Sequence, residues 1–276
     1  MTREIIAFVG GGNMAASLIA GLISDGYRPA DIIVSEPDAE KRAGLSARYN
    51  VRTTDDNAAV QREADILLLC VKPQMAKSVC TGLALTASAH VPLVISVMAG
   101  IRERSIQAWL GGHRPVVRSM PNTPAMIQAG AIVLHATDEC SAEQRNQAET
   151  ILRAGGLTRW VDREDLLDAV TAVSGSGPAY FFLLMEELER IGIGLGLDPE
   201  SARLLTIQTA LGAARMAVES DYAPSELRQR VTSPGGTTER ALDVLAQGGF
   251  ATLVEQAVRA ACTRSQELSE LLATSS

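Results

Sequence analysis

The chain has 276 residues, enough for one large domain or two ordinary ones. Its 46% hydrophobic and 21% charged residues are typical of a soluble globular protein. The formal net charge of −7 argues against a nucleic-acid-binding protein, because such proteins carry a basic surface. The N-terminus lacks the pattern of a signal peptide, and no apolar run is long enough to cross a bilayer. We therefore expect a cytoplasmic protein that does not contact membranes.

Cysteine and histidine are scattered without the spacing of a metal site. The cysteines form no CxxC pair, and we expect them to be reduced thiols. We expect the histidines to be surface or structural residues, so no metal is predicted. The residues concerned are Cys70, Cys80, Cys140, Cys262, His90, His113 and His135.

In the first 162 residues, short apolar runs alternate with helical patterns. Strands are predicted over residues 4–9, 32–35, 51–53, 66–71, 94–97, 116–119 and 131–135. Helices are predicted over residues 13–25, 39–49 and 57–62. This alternation is typical of parallel βαβ units with right-handed crossovers. It predicts an α/β fold in which residues 1–162 form a Rossmann-type domain with a doubly wound sheet.

The pattern changes at the charged residues 162–165, after which no strand is predicted. Helical periodicity covers residues 178–192, 199–221, 225–231, 238–247 and 250–273. Residues 163–276 are therefore predicted to be an all-helical C-terminal domain. The stretch 178–191 is apolar nearly all round, which is typical of a helix buried on most sides. We expect a second subunit to cover it; burial against the chain's own sheet is the alternative.

A glycine-rich turn follows the first predicted strand and fits the pattern G-x-G-x-x-A. Gly10 permits a tight turn, Gly12 lets the backbone approach a pyrophosphate, and Ala15 lets the helix pack against the strand. A helix that begins here points unpaired N–H groups at the phosphates. The position between a strand and a helix makes a dinucleotide site credible. The predicted cofactor residues here are Gly10, Gly11, Gly12, Asn13, Met14 and Ala15.

The second strand ends in Ser35 and Glu36, where the adenosine ribose of a dinucleotide lies. An acidic residue at this position typically binds the 2′-OH of NAD, whereas a 2′-phosphate favours arginine. Glu36 therefore favours NADH, while Ser35 with the nearby Lys41 and Arg42 favours NADPH. The residues leave both cofactors open, and we take NADPH as the first choice with NADH as the alternative.

Five motifs in register then give the chain a specific resemblance. They are Lys72-Pro73-Gln74, Ser96-Val97-Met98-Ala99-Gly100, Met120-Pro121-Asn122-Thr123-Pro124, Ser174-Gly175-Ser176-Gly177-Pro178 and Val231-Thr232-Ser233-Pro234-Gly235-Gly236-Thr237-Thr238. In this order and spacing the chain resembles the pyrroline-5-carboxylate reductase family over essentially its whole length. The resemblance implies NAD(P)H-dependent reduction of a cyclic imine to L-proline, the last step of proline biosynthesis. It also implies an intertwined homodimer, sometimes stacked into larger rings, with the site between subunits.

The resemblance also implies roles for individual residues. Ser35 would face the adenosine ribose and Asn57 the adenine side. The nicotinamide half would be flanked by Val71, Lys72, Pro73, Ala99 and Gly100. Asn122 would shape the floor of the site and is counted among the cofactor-binding residues. The substrate would lie near Ser174, Gly175, Ser176, Gly177, Val231, Ser233, Pro234, Gly235, Gly236, Thr237 and Thr238. Met98 stands where the family often has alanine, a mild change at the cofactor wall.

The residues themselves offer places for a small carboxylate and for an imine. The segment 233–238 leads into a helix whose N-cap we predict to be Thr237 or Thr238, which makes an anion site. The segment 174–178 is a second glycine-eased helix start with proline at its beginning. We hypothesise that the Thr238 hydroxyl, as the catalytic group, hydrogen-bonds the imine nitrogen and helps to relay a proton.

Other classes of protein fit these residues less well. A β-hydroxyacid dehydrogenase would use a lysine in the helical half, but the only lysines are Lys41, Lys72 and Lys77. A non-catalytic NAD(P) sensor need not keep the segment 233–238. A scaffold dimer would not need the glycine loop. The presence of both the loop and that segment favours an enzyme.

Overall fold

The computed structural model describes residues 4–84 and 91–274, so the prediction for His90 lies outside the described residues. Contacts divide the chain into two compact units. The first unit holds the residues up to 176 and those from 261 onward, and the second holds residues 177–260. None of the helices in the described ranges combines the length and apolar character of a membrane span.

The first unit is built on eight strands in one sheet. They are β1 (Ile6–Val9), β2 (Ile32–Ser35), β3 (Arg52–Thr54), β4 (Ile66–Leu69), β5 (Leu93–Ser96), β6 (Val116–Met120), β7 (Gly130–Ala136) and β8 (Gly156–Trp160). The strand order is β3-β2-β1-β4-β5-β6-β7-β8. The sheet is parallel except where β6 pairs with β7. The order runs outward in both directions from β1 and β4, and the predicted doubly wound fold is confirmed.

Helices follow most strands of the sheet. They are α1 (Asn13–Ser24), α2 (Ala39–Tyr49), α3 (Asn57–Glu63), α4 (Ala76–Ala84), α5 (Glu103–Trp109), α6 (Ala142–Arg153) and α7 (Leu166–Val170). A π-helical turn at Thr171–Gly175 follows α7 directly. The remaining helices are α8 (Gly177–Gly194), α9 (Pro199–Glu219), α10 (Pro224–Arg230), α11 (Thr237–Gln247) and α12 (Phe250–Thr274). The all-helical character predicted for the C-terminal part is confirmed for the residues that the structure describes.

The two faces of the sheet carry separate apolar clusters. One face packs against α1, α2 and α6 through residues such as Leu18, Leu45 and Ile151. The other packs against α3, α4 and α5 through residues such as Val60 and Ile106. A sheet that is covered on both faces explains why β1, β2, β4 and β5 are continuous apolar runs in the sequence.

The end of the sheet beyond β6 departs from the predicted pattern. β7 runs antiparallel to β6 because only the short 3-10 turn Thr123–Ile127 joins them, and a parallel return needs a crossover of a dozen or more residues. β8 was not predicted from the sequence. It is a half-exposed edge strand that pairs parallel to β7 and lacks a continuous apolar run.

The last turns of α12 belong to the sheet unit. The Ser265 hydroxyl donates to Asp168 Oδ1 at 2.7 Å, and both residues are buried. This contact joins positions that are 97 residues apart in the chain. The sequence predicted a single boundary after residue 162. In the structure, contacts place residues 163–176 and those from 261 onward with the sheet.

The second unit contains α8 to α11 and the first part of α12. Its helices leave many large apolar side chains exposed in the single chain. On α8, Phe181 is 64% and Phe182 62% exposed, and on α9 Leu204 is 59% exposed. Helices with so much exposed apolar surface are typical of an interaction surface.

Candidate active site

The glycine loop after β1 is held by backbone contacts that only glycine allows at its first position. Gly10 has φ +99°, and its N–H donates to Ser35 O at 2.8 Å. A Cβ at Gly10 would lie 2.7 Å from Cys70 O, which is backbone and cannot move aside. The loop is therefore clamped between the ends of β2 and β4.

The start of α1 has the features of a pyrophosphate cradle. Gly12 is the N-cap, and a Cβ built on it would meet nothing within 4 Å. The first N–H to bond within the helix is that of Ala16, which donates to Gly12 O at 2.9 Å. The N–H groups of Asn13, Met14 and Ala15 therefore have no partner within the helix. Open space over a helix N-terminus fits the phosphates of a dinucleotide.

Two predicted adenosine-side residues meet at the end of β2. The Ser35 hydroxyl donates to Asn57 Oδ1, and Asn57 is the first residue of α3. Ser35 is buried, whereas Asn57 is partly exposed, so its amide can also reach a ligand. The structure thus brings together two residues that the sequence places on separate elements.

The Glu36 carboxylate turns toward the glycine loop. Oε2 accepts from the N–H of Gly11 at 2.8 Å, and Oε1 accepts from that of Asp38 at 3.2 Å. Glu36 is 8% exposed, so the carboxylate is part of the loop's own support. Beside it, one guanidinium nitrogen of Arg42 donates to Glu36 O at 2.7 Å and to Pro37 O at 2.8 Å. A cation is therefore fixed next to the end of β2.

The predicted nicotinamide wall lies at the ends of β4 and β5. Val71 Cγ1 lies 3.1 Å from an ideal Cβ at Gly10, while Lys72 is exposed and Pro73 begins a 3-10 turn. Ala99 is exposed and Gly100 is buried with φ +75°. These segments follow neighbouring strands, and the carboxyl ends of such strands are where α/β proteins bind ligands.

The C-terminal part of α12 supports this wall, a feature that no motif in the sequence indicates. A Cβ at Gly100 would lie 3.4 Å from Leu272 Cδ1 and 3.7 Å from Ser269 Oγ. The Arg102 guanidinium, just beyond the loop, pairs with Asp168 Oδ2 at 2.5 Å. Met98 is 1% exposed and packs into the cluster under α4 and α5. The prediction that Met98 lies at the cofactor wall is therefore wrong, because its side chain belongs to the core.

A buried ionic cluster joins β6, β7 and the start of α5. Arg118 on β6 is 2% exposed and donates to Glu164 Oε1 at 2.9 Å. The same Glu164 oxygen accepts from the N–H of Glu103 at 2.8 Å. His135 Nδ1 lies 2.7 Å from Glu103 Oε1, and this hydrogen bond raises the pKa of the His135 ring. The cluster explains why a histidine without a motif is partly buried: it is structural, as predicted.

Asn122 joins the end of β6 to the first predicted substrate segment. Its Nδ2 donates to Ser174 O at 3.0 Å, and its Oδ1 accepts from the N–H of Ala131 at 2.9 Å. The N–H of Ser176 donates to Thr171 O at 2.8 Å, which is the i to i−5 bond of the π-helical turn. Gly177 is buried and begins α8. The predicted floor residue and the predicted substrate segment are therefore adjacent.

The second predicted substrate segment leads from α10 into α11. Val231 caps the end of α10 and is 60% exposed, and Ser233 and Pro234 are exposed in the loop that follows. Gly235 has φ +71°, and the N–H of Gly236 donates to Ser233 O at 3.0 Å. The segment is therefore a tight turn that needs glycine at residue 235.

The prediction that Thr237 or Thr238 caps α11 is wrong. The N-cap is Gly236, and Thr237 and Thr238 are the first two helical residues. The Glu239 carboxylate accepts from the N–H of Gly235 at 2.7 Å, so a side chain from within the helix supports the turn. The N–H groups of Thr237 and Thr238 have no partner within the helix, and the anion site expected there stays a prediction.

The sheet order, the glycine loop and the open helix start define a Rossmann-type dinucleotide-binding protein. Comparison with known families agrees. Residues 5–100 match the family model "NADP oxidoreductase coenzyme F420-dependent". Residues 164–268 match the model "Pyrroline-5-carboxylate reductase dimerisation", which indicates self-association through this region.

Relatives of known name match along the whole chain. A pyrroline-5-carboxylate reductase of Pseudomonas aeruginosa is 52% identical over 272 residues, which is 99% of each chain. The solved structure of a pyrroline-5-carboxylate reductase from Coxiella burnetii is 45% identical with a TM-score of 0.92, covering 97% of this chain and 99% of that one. The chain belongs to the pyrroline-5-carboxylate reductase family, and the resemblance stated from its motifs is confirmed.

A third relative was solved with its cofactor. The pyrroline carboxylate reductase of Plasmodium falciparum, with NADP bound, is 27% identical with a TM-score of 0.85 and covers 98% of this chain and 99% of that one. The family match and this relative identify the chain as an NAD(P)-dependent oxidoreductase, as predicted from the glycine loop.

Proposed function

We propose that the chain reduces L-1-pyrroline-5-carboxylate to L-proline with NAD(P)H, the last step of proline biosynthesis. The observation that carries the proposal is the open cradle over Gly12, in a chain that belongs to the reductase family along its whole length. When bound, the reduced nicotinamide supplies the hydride for the imine carbon.

NADPH is the proposed cofactor, and NADH is the alternative donor. The Arg42 guanidinium, fixed by two carbonyl oxygens beside the end of β2, supports a 2′-phosphate there. The Glu36 carboxylate is already engaged by backbone N–H groups of the loop, which weakens the case that it is reserved for a ribose 2′-OH.

We assign the substrate carboxylate to the start of α11. The N–H groups of Thr237 and Thr238 carry the partial positive charge of a helix N-terminus. The Thr238 hydroxyl then holds a proton at the imine nitrogen, which makes the neighbouring carbon more electrophilic. Because a threonine hydroxyl is a weak acid, most of the rate comes from holding the imine carbon in position.

The proposed working form is a cytoplasmic homodimer, or a larger ring built from such dimers. Exposed apolar side chains on α8 and α9 support the dimer, since a second copy would remove them from water. The four thiols are free, which supports a reducing compartment.

The decisive experiment follows NADPH absorbance on addition of the five-membered imine acid, with NADH in a parallel series. We expect a rapid loss of absorbance and formation of L-proline, faster with NADPH. No loss with either cofactor would overturn the proposed function.

The role of Thr238 is tested by two substitutions. Thr238→Ala should lower kcat about a hundredfold, the lower end of what general acid–base groups contribute, with NADPH affinity unchanged. Thr238→Ser keeps the hydroxyl and should retain most activity. Thr150→Ala is the matched control, because the Thr150 hydroxyl is exposed on α6 and donates only to Asn146 O at 2.8 Å. Unchanged turnover in Thr238→Ala would exclude the role.

A further inference from the structure

The carbonyl of Ser174, in the π-helical turn, cannot receive the donor that a continuing α-helix would supply. In an α-helix each C=O accepts from the N–H four residues later. Four residues after Ser174 stands Pro178, which has no N–H and whose ring repels the carbonyl four residues before it. A partly buried carbonyl without a donor costs free energy comparable to a lost hydrogen bond.

Asn122 supplies the missing donor from another element. Its Nδ2 lies 3.0 Å from Ser174 O, while its Oδ1 accepts from the N–H of Ala131 at 2.9 Å. Both ends of the amide are thus engaged by backbone groups. The side chain acts as a bridge from the turn after β6 to the π-helical turn on one side and to β7 on the other.

Packing around the Asn122 bridge also joins the end of β6 to the π-helical turn. A Cβ at Gly175 would lie 2.6 Å from Cε of Met120, so the last residue of β6 rests directly on the π-helical turn. The hydroxyls of Thr171 and Ser174 donate to carbonyls one turn earlier, at 2.7 and 3.0 Å. Because these hydroxyls bond within the turn, the contacts with Asn122 and Met120 position its backbone and not its hydroxyl groups.

We infer that Asn122 is a positioning residue for the imine acid and not a ligand of the cofactor. It sets the place of the segment 174–177 by donating to the carbonyl that Pro178 leaves without an α-helical partner. The inference rests on the proposed function, because it assumes that this segment contacts the substrate.

The first test replaces only the donor. Asn122→Asp keeps an oxygen for the N–H of Ala131 but sets a second oxygen against Ser174 O. We expect the KM for the imine acid to rise about tenfold, the effect of one buried hydrogen bond. The Kd for NADPH, measured by fluorescence titration without imine, should stay within about twofold of the wild type. Asn146→Asp, at an exposed position on α6, is the matched control and should change neither value.

The second test restores the donor from the helix itself. Pro178→Ala returns an N–H four residues after Ser174, so Asn122→Ala should raise KM less in the Pro178→Ala background than in the wild type. This double-mutant cycle isolates the carbonyl as the shared partner. It also keeps the inference testable if Asn122→Asp alone does not fold, which circular dichroism would report.

Two results would overturn the inference. One is a Kd for NADPH that weakens about tenfold or more in Asn122→Asp, which would make the residue a cofactor ligand. The other is an equal effect of Asn122→Ala on KM in both backgrounds. Neither result resembles a failure of the proposed function, in which the wild type itself would not oxidise NADPH with the imine acid.

Discussion

Gly10 and Gly12 are neighbours in one loop, yet the backbone requires glycine at only one of them. Gly10 has φ +99° and lies against the carbonyl of Cys70, so any side chain would be strained and would clash. Gly12 has φ −74° and ψ −174°, which every residue adopts readily, and open space lies above it. The absence of a side chain at residue 12 is therefore explained by a bound ligand and not by the backbone conformation.

This difference gives a paired prediction for the loop. Gly12→Ala should unfold at the wild-type temperature but bind NADPH about tenfold or more weakly, because its methyl group occupies the cradle. Gly10→Ala should lose about 1–3 kcal/mol of stability from backbone strain alone. Differential scanning fluorimetry and NADPH titration on both variants separate the effects. Wild-type affinity in Gly12→Ala would contradict the placement of the pyrophosphate.

Single residues show where sequence reasoning reaches its limit. The glycine pattern placed the loop and its helix correctly, because the role of each glycine follows from a local backbone requirement. The cap of α11 was misplaced by one or two residues, because threonine is a common N-cap and nothing local reveals that Glu239 supports the turn. The partners of Asn122 lie 52 and 9 residues away, at distances that local patterns do not report.

Among the elements, β1, β2, β4 and β5 were predicted because strands that are buried on both faces leave a continuous apolar signal. β8 was not predicted because it is half exposed and its burial alternates along the strand. The antiparallel pairing of β7 could have been found from the short connection after β6, which leaves no room for a crossover helix.

The end of α12 contacts a buried ion pair of the sheet unit. The Asp168 carboxylate is 1% exposed and is shared between the Arg102 guanidinium at 2.5 Å and the Ser265 hydroxyl at 2.7 Å. No motif marks this arrangement, since Asp168 and Ser265 are ordinary residues of amphipathic helices.

Removing the carboxylate should destabilise the sheet unit. Asp168→Ala leaves the Arg102 charge without its partner, and the free energy of unfolding should fall by about 3 kcal/mol. The control is Asp165→Ala, because Asp165 pairs with Arg163 at the surface and both side chains are more than 60% exposed. Its loss should be below about 1 kcal/mol. Urea denaturation of the two variants measures the difference, and equal losses would refute the argument.

At the scale of the whole molecule, the helical region carries apolar surface that a single chain leaves in water. Phe181, Phe182 and Leu183 on α8 are each at least 60% exposed. The all-round apolar character of this helix predicted a covering subunit, and the match to a dimerisation family agrees with self-association.

A charge placed on this surface should weaken the assembly. Phe182→Glu is expected to shift the protein toward the monomer in size-exclusion chromatography with light scattering, because a carboxylate would have to be buried in the interface. Val91→Glu is the control, since Val91 is 46% exposed just before β5. An unchanged mass for Phe182→Glu would show that α8 is outside the interface.

The long-range contact between Asp168 and Ser265 also bears on the order in which the protein is made. A ribosome releases the strands and their flanking helices first, yet the sheet unit includes residues from 261 onward. Closing a contact over 97 residues carries a loop entropy that local pairings do not. The sheet unit thus reaches its final form only after residues from 261 onward have left the ribosome, although its strands emerge much earlier.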